Sequence, residues 1–241
     1  MSDEPAAETK APSTKAPSGT RRVIQLVVGT VAWLVALFGG AGRFDWTRGW
    51  IYVAMYSICM ATAGVVVRRL NPTCLEARSR FWRKNTKRFD KIFMLTYLPL
   101  VYLQPTVAGL DAVRFHWTSI PFVAVYPGIL LFMMSTILIT WVMVVNPHAE
   151  TTVRIQSDRG HVVISSGPYR FVRHPMYVGA IVMYASAALV LGSMWALAIS
   201  AVMAIEFVVR TALEDRTLRR ELPGYDAYAA VTRYRLVPGL W

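Results

Sequence analysis

The segment Ser165–Tyr177, SSGPYRFVRHPMY, sets Tyr169, Arg170, Arg173, His174 and Tyr177 between long apolar stretches. A second polar cluster, Arg210, Glu214 and Asp215, follows the next apolar stretch. Cationic, titratable and aromatic groups at such density beside hydrocarbon mark a site. Glu206, Arg210 and Glu214 recur at i, i+4 and i+8, so they line one helical stripe on which Arg210 can pair with either carboxylate. Asp215 points about 100° away from that stripe. Taken alone, such a ladder is a structural ion-pair network, and Arg173-His174-Pro175 alone is orienting charge before a helix-starting proline. The two clusters together point to function.

The elements that must position them are membrane helices. The chain has 241 residues, 55% of them hydrophobic and only 17% charged, too apolar for a soluble domain of this length. Apolar runs at about Val23–Gly42, Ile51–Val67, Ile92–Val113 and Ile120–Val145 each approach the roughly 20 residues that cross hydrocarbon. The longer run Tyr177–Val209 is divided by Gly192-Ser193 into two shorter halves, a hairpin. About six transmembrane helices result. With Gly192 as the tip, Arg170 and Glu214 stand equally far from it, as do His174 and Arg210, so both clusters should emerge at the same membrane face. Pro175 is expected to begin the fifth helix and leave Ser165–His174 as a loop.

With both termini on one side, 23 of the 26 lysines and arginines fall there, leaving only Arg43, Arg48 and Arg114 opposite. The positive-inside rule makes that richer side cytoplasmic. It also removes the argument for nucleic acid from the +12 net charge. The expected location is a bacterial plasma membrane, with both termini cytoplasmic.

Other residues carry less. Residues 1–20 read as a disordered cytoplasmic tail. Cys59 and Cys74 make no disulfide framework, and the four histidines lack metal-ligand spacing, so no metal is expected. No phosphate loop or GxGxxG appears. Pro99, Pro105, Pro121 and Pro127 should bend helices or mark their ends. Asp111 and Asn146 sit near opposite interfaces, close enough to be solvated, and Asn146 opens the loop leading to the main motif. Trp46, Trp50, Tyr52, Trp117 and Trp241 read mostly as interfacial anchors. The basic loop 68–91 carries Arg78, Arg80, Arg83, Lys84, Lys87 and Arg88 and serves chiefly as a topology signal; binding of anionic headgroups is its other use. The segment Arg216–Tyr228 is expected to form an amphipathic helix against the site.

From about Asn146 to Trp241 the chain resembles the isoprenylcysteine carboxyl methyltransferases and the related phospholipid N-methyltransferases. The resemblance rests on Gly167-Pro168-Tyr169, on Arg173-His174-Pro175-Met176-Tyr177 with Gly179, and on Glu214-Asp215. It extends to Gly224-Tyr225 with Tyr228 and to Pro238-Gly239-Leu240. It implies an integral-membrane enzyme that binds S-adenosyl-L-methionine at its cytoplasmic face and methylates a lipid-borne or isoprenoid acceptor. Gly167, Tyr169, Arg173, His174, Pro175, Tyr177, Glu214 and Asp215 are the cofactor-binding residues it implies, with Glu214 and Arg210 catalytic. Asp215 departs from the family's usual second glutamate, one methylene longer.

The fold expected is all-α and polytopic: a tail 1–20, four transmembrane helices in 21–145, and a methyltransferase core 146–241 with hairpin 177–209 and a C-terminal interfacial helix. Expected partners are a lipophilic small-molecule acceptor and membrane lipids, with no nucleic acid and no obligate protein partner. Carboxylate O-methylation is the favoured reaction; an ionised carboxylate needs no base whereas an amine must lose a proton, and the residues themselves do not choose between the two. Two other classes compete: an NADPH-dependent membrane sterol or isoprenoid reductase, and a non-enzymatic lipid-binding protein.

Overall fold

The computed structural model describes residues 19–79 and 85–241, so most of the tail, and Arg80, Arg83 and Lys84 of the basic loop, lie outside the described residues. Among the described residues all regular structure is helical. The long helices are α1 (Gly19–Ala41), α2 (Thr47–Leu70), α4 (Arg88–Gly109), α5 (Val125–Val145), α6 (Pro175–Leu191) and α7 (Met194–Glu221), with short helices α3 (Pro72–Arg78) and α8 (Tyr225–Val231). Five elements are long and apolar enough to span a bilayer, while α6, at 17 residues, is an apolar helix just short of that length. Large apolar side chains such as Leu26, Ile58, Leu95, Ile137 and Ile205 stand exposed on these helices. Lipid, not water, is the medium that accommodates such a surface.

In hydrocarbon, helices associate through close packing, and small residues permit it. A Cβ at Gly40 would come within 2.3 Å of Thr106 O, and one at Gly109 within 2.4 Å of Ala41 N, so α1 and α4 touch backbone to backbone. The main apolar core joins Leu37 and Phe38 of α1, Met55 of α2, Phe132 of α5, Leu191 of α6 and Ala196 of α7. Trp46 and Tyr52, expected at the interface, belong to this core, whereas Trp50 and Trp117 are exposed. The aromatic rings of the first two pack inward because the α1–α2 turn folds them over Phe38 and Phe132.

Two further expectations need correction. Asp111 is fully buried rather than solvated: it accepts hydrogen bonds from Thr118 N at 2.7 Å, Thr118 Oγ1 at 2.6 Å and Ser193 Oγ at 2.5 Å. Those donors replace water around its carboxylate. The C-terminal amphipathic helix is not one segment. α7 runs unbroken to Glu221, then breaks at Leu222-Pro223-Gly224, where Gly224 has φ +83°, before α8 begins. Proline cannot continue the helix, and glycine takes the left-handed turn at no steric cost.

Pro99 and Pro105 lie inside α4, which ends in a π turn over Leu110–Phe115. Pro121 precedes a short 3₁₀ turn that leads into α5. α6 and α7 form the expected hairpin. Gly192, at φ +83°, ends α6, and Ser193 caps α7 by accepting from Ala196 N at 3.0 Å.

Candidate active site

The hairpin brings the two clusters together, with a register the equal-distance reckoning misses. Tyr177 donates to Glu214 Oε2 at 2.5 Å, and His174 Nε2 lies 3.5 Å from Asp215 Oδ1. The residues that meet are therefore five to seven positions out of step about Gly192, roughly 8–10 Å along a helix. Side chains lean toward the N-terminus of their own helix. On antiparallel helices they lean in opposite directions, so Tyr177 reaches toward the end of the bundle while Glu214 reaches back toward the tip.

A cleft opens between these helix ends and the loop 146–164. It holds about 830 Å³ of empty space, including its mouth. Tyr169, His174, Tyr177, Arg210, Glu214 and Tyr225 face it from one side, and His148, Gln156 and His161 from the other. Arg173 and Pro175 also contribute to its wall. Asn146 ends α5 and orients Tyr169, donating from Nδ2 to the phenol oxygen at 2.6 Å while its Oδ1 accepts from His148 N at 2.8 Å. Tyr228 donates to Tyr169 O at 2.7 Å, so α8 is laced to the 3₁₀ turn Gly167–Arg170. Leu222, Tyr225, Tyr228 and Ala229 pack on Ile155, Val163 and Tyr169 and close this end of the cleft.

Two cofactor-binding expectations stand off the wall. Gly167, at φ +58°, has no side chain to present; a Cβ there would meet Trp141 Nε1 at 3.1 Å. Its part is to let the turn approach α5 closely. Asp215 is buried behind the cleft and saturated. Its Oδ1 accepts from Arg173 Nε at 2.7 Å and Tyr225 at 3.0 Å, and its Oδ2 from Arg235 Nε at 3.0 Å and Arg219 Nε at 3.3 Å. Arg173 completes this clasp by donating to the carbonyls of Thr232 at 2.8 Å and Arg233 at 2.6 Å. The Arg173 charge is thus directed at Asp215 and the C-terminal backbone.

Arg210 departs from the expected Glu–Arg–Glu ladder. Its Nη2 lies 2.9 Å from Asp90 Oδ1 and donates to Thr151 O at 2.9 Å. Its guanidinium carbon sits 4.3 Å from the Phe93 ring centre and 5.2 Å from that of Tyr177. Asp90, in the first turn of α4 and fully buried, also accepts from Val153 N at 2.7 Å. The α4 residue outranks the same-helix carboxylates because a cross-helix partner fixed by a backbone N–H needs no further ordering. Arg210 Nε and Glu206 Oε2 are buried without a hydrogen-bond partner.

The opposite wall was not read from sequence. Arg154, nearly buried, is gripped by Glu150 at 2.8 Å and Asp158 at 2.6 Å. Both carboxylates raise its pKa further. Burial lowers His148 and pushes His161 down to about 4, so both rings are neutral near pH 7. Burial also raises the phenols of Tyr169, Tyr225 and Tyr228, the last to about 12. The pattern E-x-x-x-R-x-x-x-D over 150–158 was the available signal. For Asp90 it was a lone acid between Lys87, Arg88 and Lys91.

The hairpin, Arg210 and most of the cleft's wall, though not Tyr225 and Tyr228, fall where a comparison with protein families finds a match. Residues 123–222 match the phospholipid methyltransferase family. The match begins one helix earlier than the motif resemblance, taking in α5, and stops before α8 and the Pro238-Gly239-Leu240 ending. The likeness lies with membrane methyltransferases rather than with the reductases. No curated protein matches the chain.

Proposed function

We propose that the protein transfers a methyl group from S-adenosylmethionine to a lipid-borne or isoprenoid acceptor at the cytoplasmic membrane face, with carboxylate O-methylation the favoured reaction. The observation that carries this reading is Arg210: only 7% exposed, on the cleft wall, its Nε unpartnered, its faces against Phe93 and Tyr177. It stands where the polar cleft meets the apolar cluster of Phe93, Tyr97, Phe207 and Tyr184. A charged donor and a greasy acceptor can meet only at such a boundary.

The residues fit the cofactor's chemistry. Glu214 suits an ammonium, the tyrosine faces and neutral His148 and His161 suit an adenine, and the backbone groups of 146–164 supply hydrogen bonds. When bound, S-adenosylmethionine supplies an electrophilic methyl on a positive sulfur, and displacement leaves that sulfur neutral. The protein's work is alignment in a dry place. Asp90 and Thr151 O hold the Arg210 guanidinium at the cleft wall, where its charge would draw an anionic acceptor. Tyr177 fixes Glu214. An ionised carboxylate needs no base, whereas with an amine acceptor Glu214 takes the proton. The distribution of basic residues supports the cytoplasmic orientation.

Titration calorimetry with S-adenosylhomocysteine tests the proposal. Wild type should bind, Glu214→Ala and His174→Ala should bind at least tenfold more weakly, and NADPH should not bind. Binding of NADPH without S-adenosylhomocysteine would give the site to a reductase.

A further inference from the structure

At the other end of the bundle a second cavity surrounds the hairpin tip, with about 1180 Å³ of empty space including its mouth. Arg43, Asp45, Arg48, His116, Thr118 and Gly192 line it. From Gly192 to Glu214 α7 runs roughly 33 Å, so this cavity and the cleft face opposite leaflets.

Arg48, in the first turn of α2, donates from Nη2 to Ile120 O at 2.7 Å and lies 5.2 Å over the Phe122 ring. Its Nη1 is buried with no hydrogen-bond partner. The position is built around this guanidinium, since a Cβ on Gly192 would fall 2.1 Å from Nη1. Among the described residues no acid pairs with it: Asp45 is bonded to Arg43, and Asp111 to Thr118, Ser193 and Trp195. A partly buried cation without an anion is an incomplete arrangement.

The charge distribution sharpens this. Among the described residues, Arg43, Arg48 and Arg114 are the only lysines or arginines at this end of the bundle. Two of them, Arg43 and Arg48, line the cavity, and Arg114 Nη2 lies outside it, 3.0 Å from where a Gly42 Cβ would stand. Apolar side chains complete the lining, Trp46, Ala112, Val113, Ile120 and the exposed Phe122, and Phe44, Trp50, Phe115 and Trp117, close to these in the chain, are exposed as well. Aromatic side chains of this kind sit at headgroup depth. A ligand satisfying both features has an anion for the guanidinium and hydrocarbon for the apolar lining.

We propose that this cavity binds the phosphate of a bilayer phospholipid, held by Arg48 beneath the α6–α7 turn. The site is independent of the methyl-transfer reading. Its test is the thermal unfolding of the purified full-length protein in detergent with added phosphatidylglycerol, a phosphate-free galactolipid, or inorganic phosphate. Phosphatidylglycerol should raise Tm, and Arg48→Gln should lose at least half of that lipid-dependent rise, whatever its own starting Tm. An equal rise in Arg48→Gln, an equal rise with galactolipid, or full reproduction by inorganic phosphate each overturns the proposal. If Arg48→Gln does not fold, a phospholipid with a photoreactive headgroup on wild type decides it. Labelling within 43–48 or 116–122 supports the site, and labelling confined elsewhere refutes it.

Discussion

Two buried arginine–aspartate pairs lie close together in the bundle and do different work. Arg173–Asp215 is closed on itself: both carboxylate oxygens are taken, and the guanidinium also holds the backbone of residues 232–233. Arg210–Asp90 is open, with the arginine Nε unsatisfied and its side chain on the cleft wall. A saturated pair fastens structure. An unsaturated one is available to a ligand.

If that contrast is right, the closed pair should fail by unfolding. Removing one partner of a buried pair costs about 3–5 kcal/mol, so Asp215→Ala should lower Tm sharply in thermal denaturation and release the C-terminal segment to protease. Glu214→Ala, one residue away, should leave Tm close to wild type while weakening S-adenosylhomocysteine binding. The open pair should instead fail in catalysis. Asp90→Asn keeps the acceptor for Val153 N but loses the charge that orients Arg210. Methyl transfer should fall by about 100-fold, the scale of a small misplacement, with donor affinity little changed. Equal losses of stability in Asp215→Ala and Asp90→Asn would erase the distinction.

The far wall supplies a pH test. His161 has its pKa lowered to about 4 from the usual 6.5, so the folded state takes up its proton less readily than the unfolded state. Its contribution is therefore intact above about pH 6.5 and declines as pH falls toward 4. Wild type should lose stability across that window, and His161→Phe should lose less in parallel melts. The smallest effect belongs to Asn146→Ala, which frees the Tyr169 hydroxyl and should cost about 1 kcal/mol. It should be visible as a modest Tm decrease.

Much of this was legible in the chain. Composition and apolar runs gave the helices, Gly192-Ser193 the hairpin, and Pro175 the start of α6, because each rests on local chemistry. Asn146 could be singled out because it ends a span and opens the loop that leads to the main motif. Asp90 and the 146–164 wall could not, because their roles arise from contacts across more than sixty residues for Asp90–Val153 and from a loop without periodicity. Asp215 shows the converse. Its place in a motif suggested ligand contact, yet three arginines from different segments enclose it.

Asp90 lies outside the segment 123–222 that carries the family match, although its carboxylate is the ion-pair partner of Arg210 inside it. The two halves are therefore not interchangeable modules. A fragment trimmed to the matched segment, or a chimera with a foreign first half, strands a guanidinium in hydrocarbon unless the donor half brings an acid at the same depth.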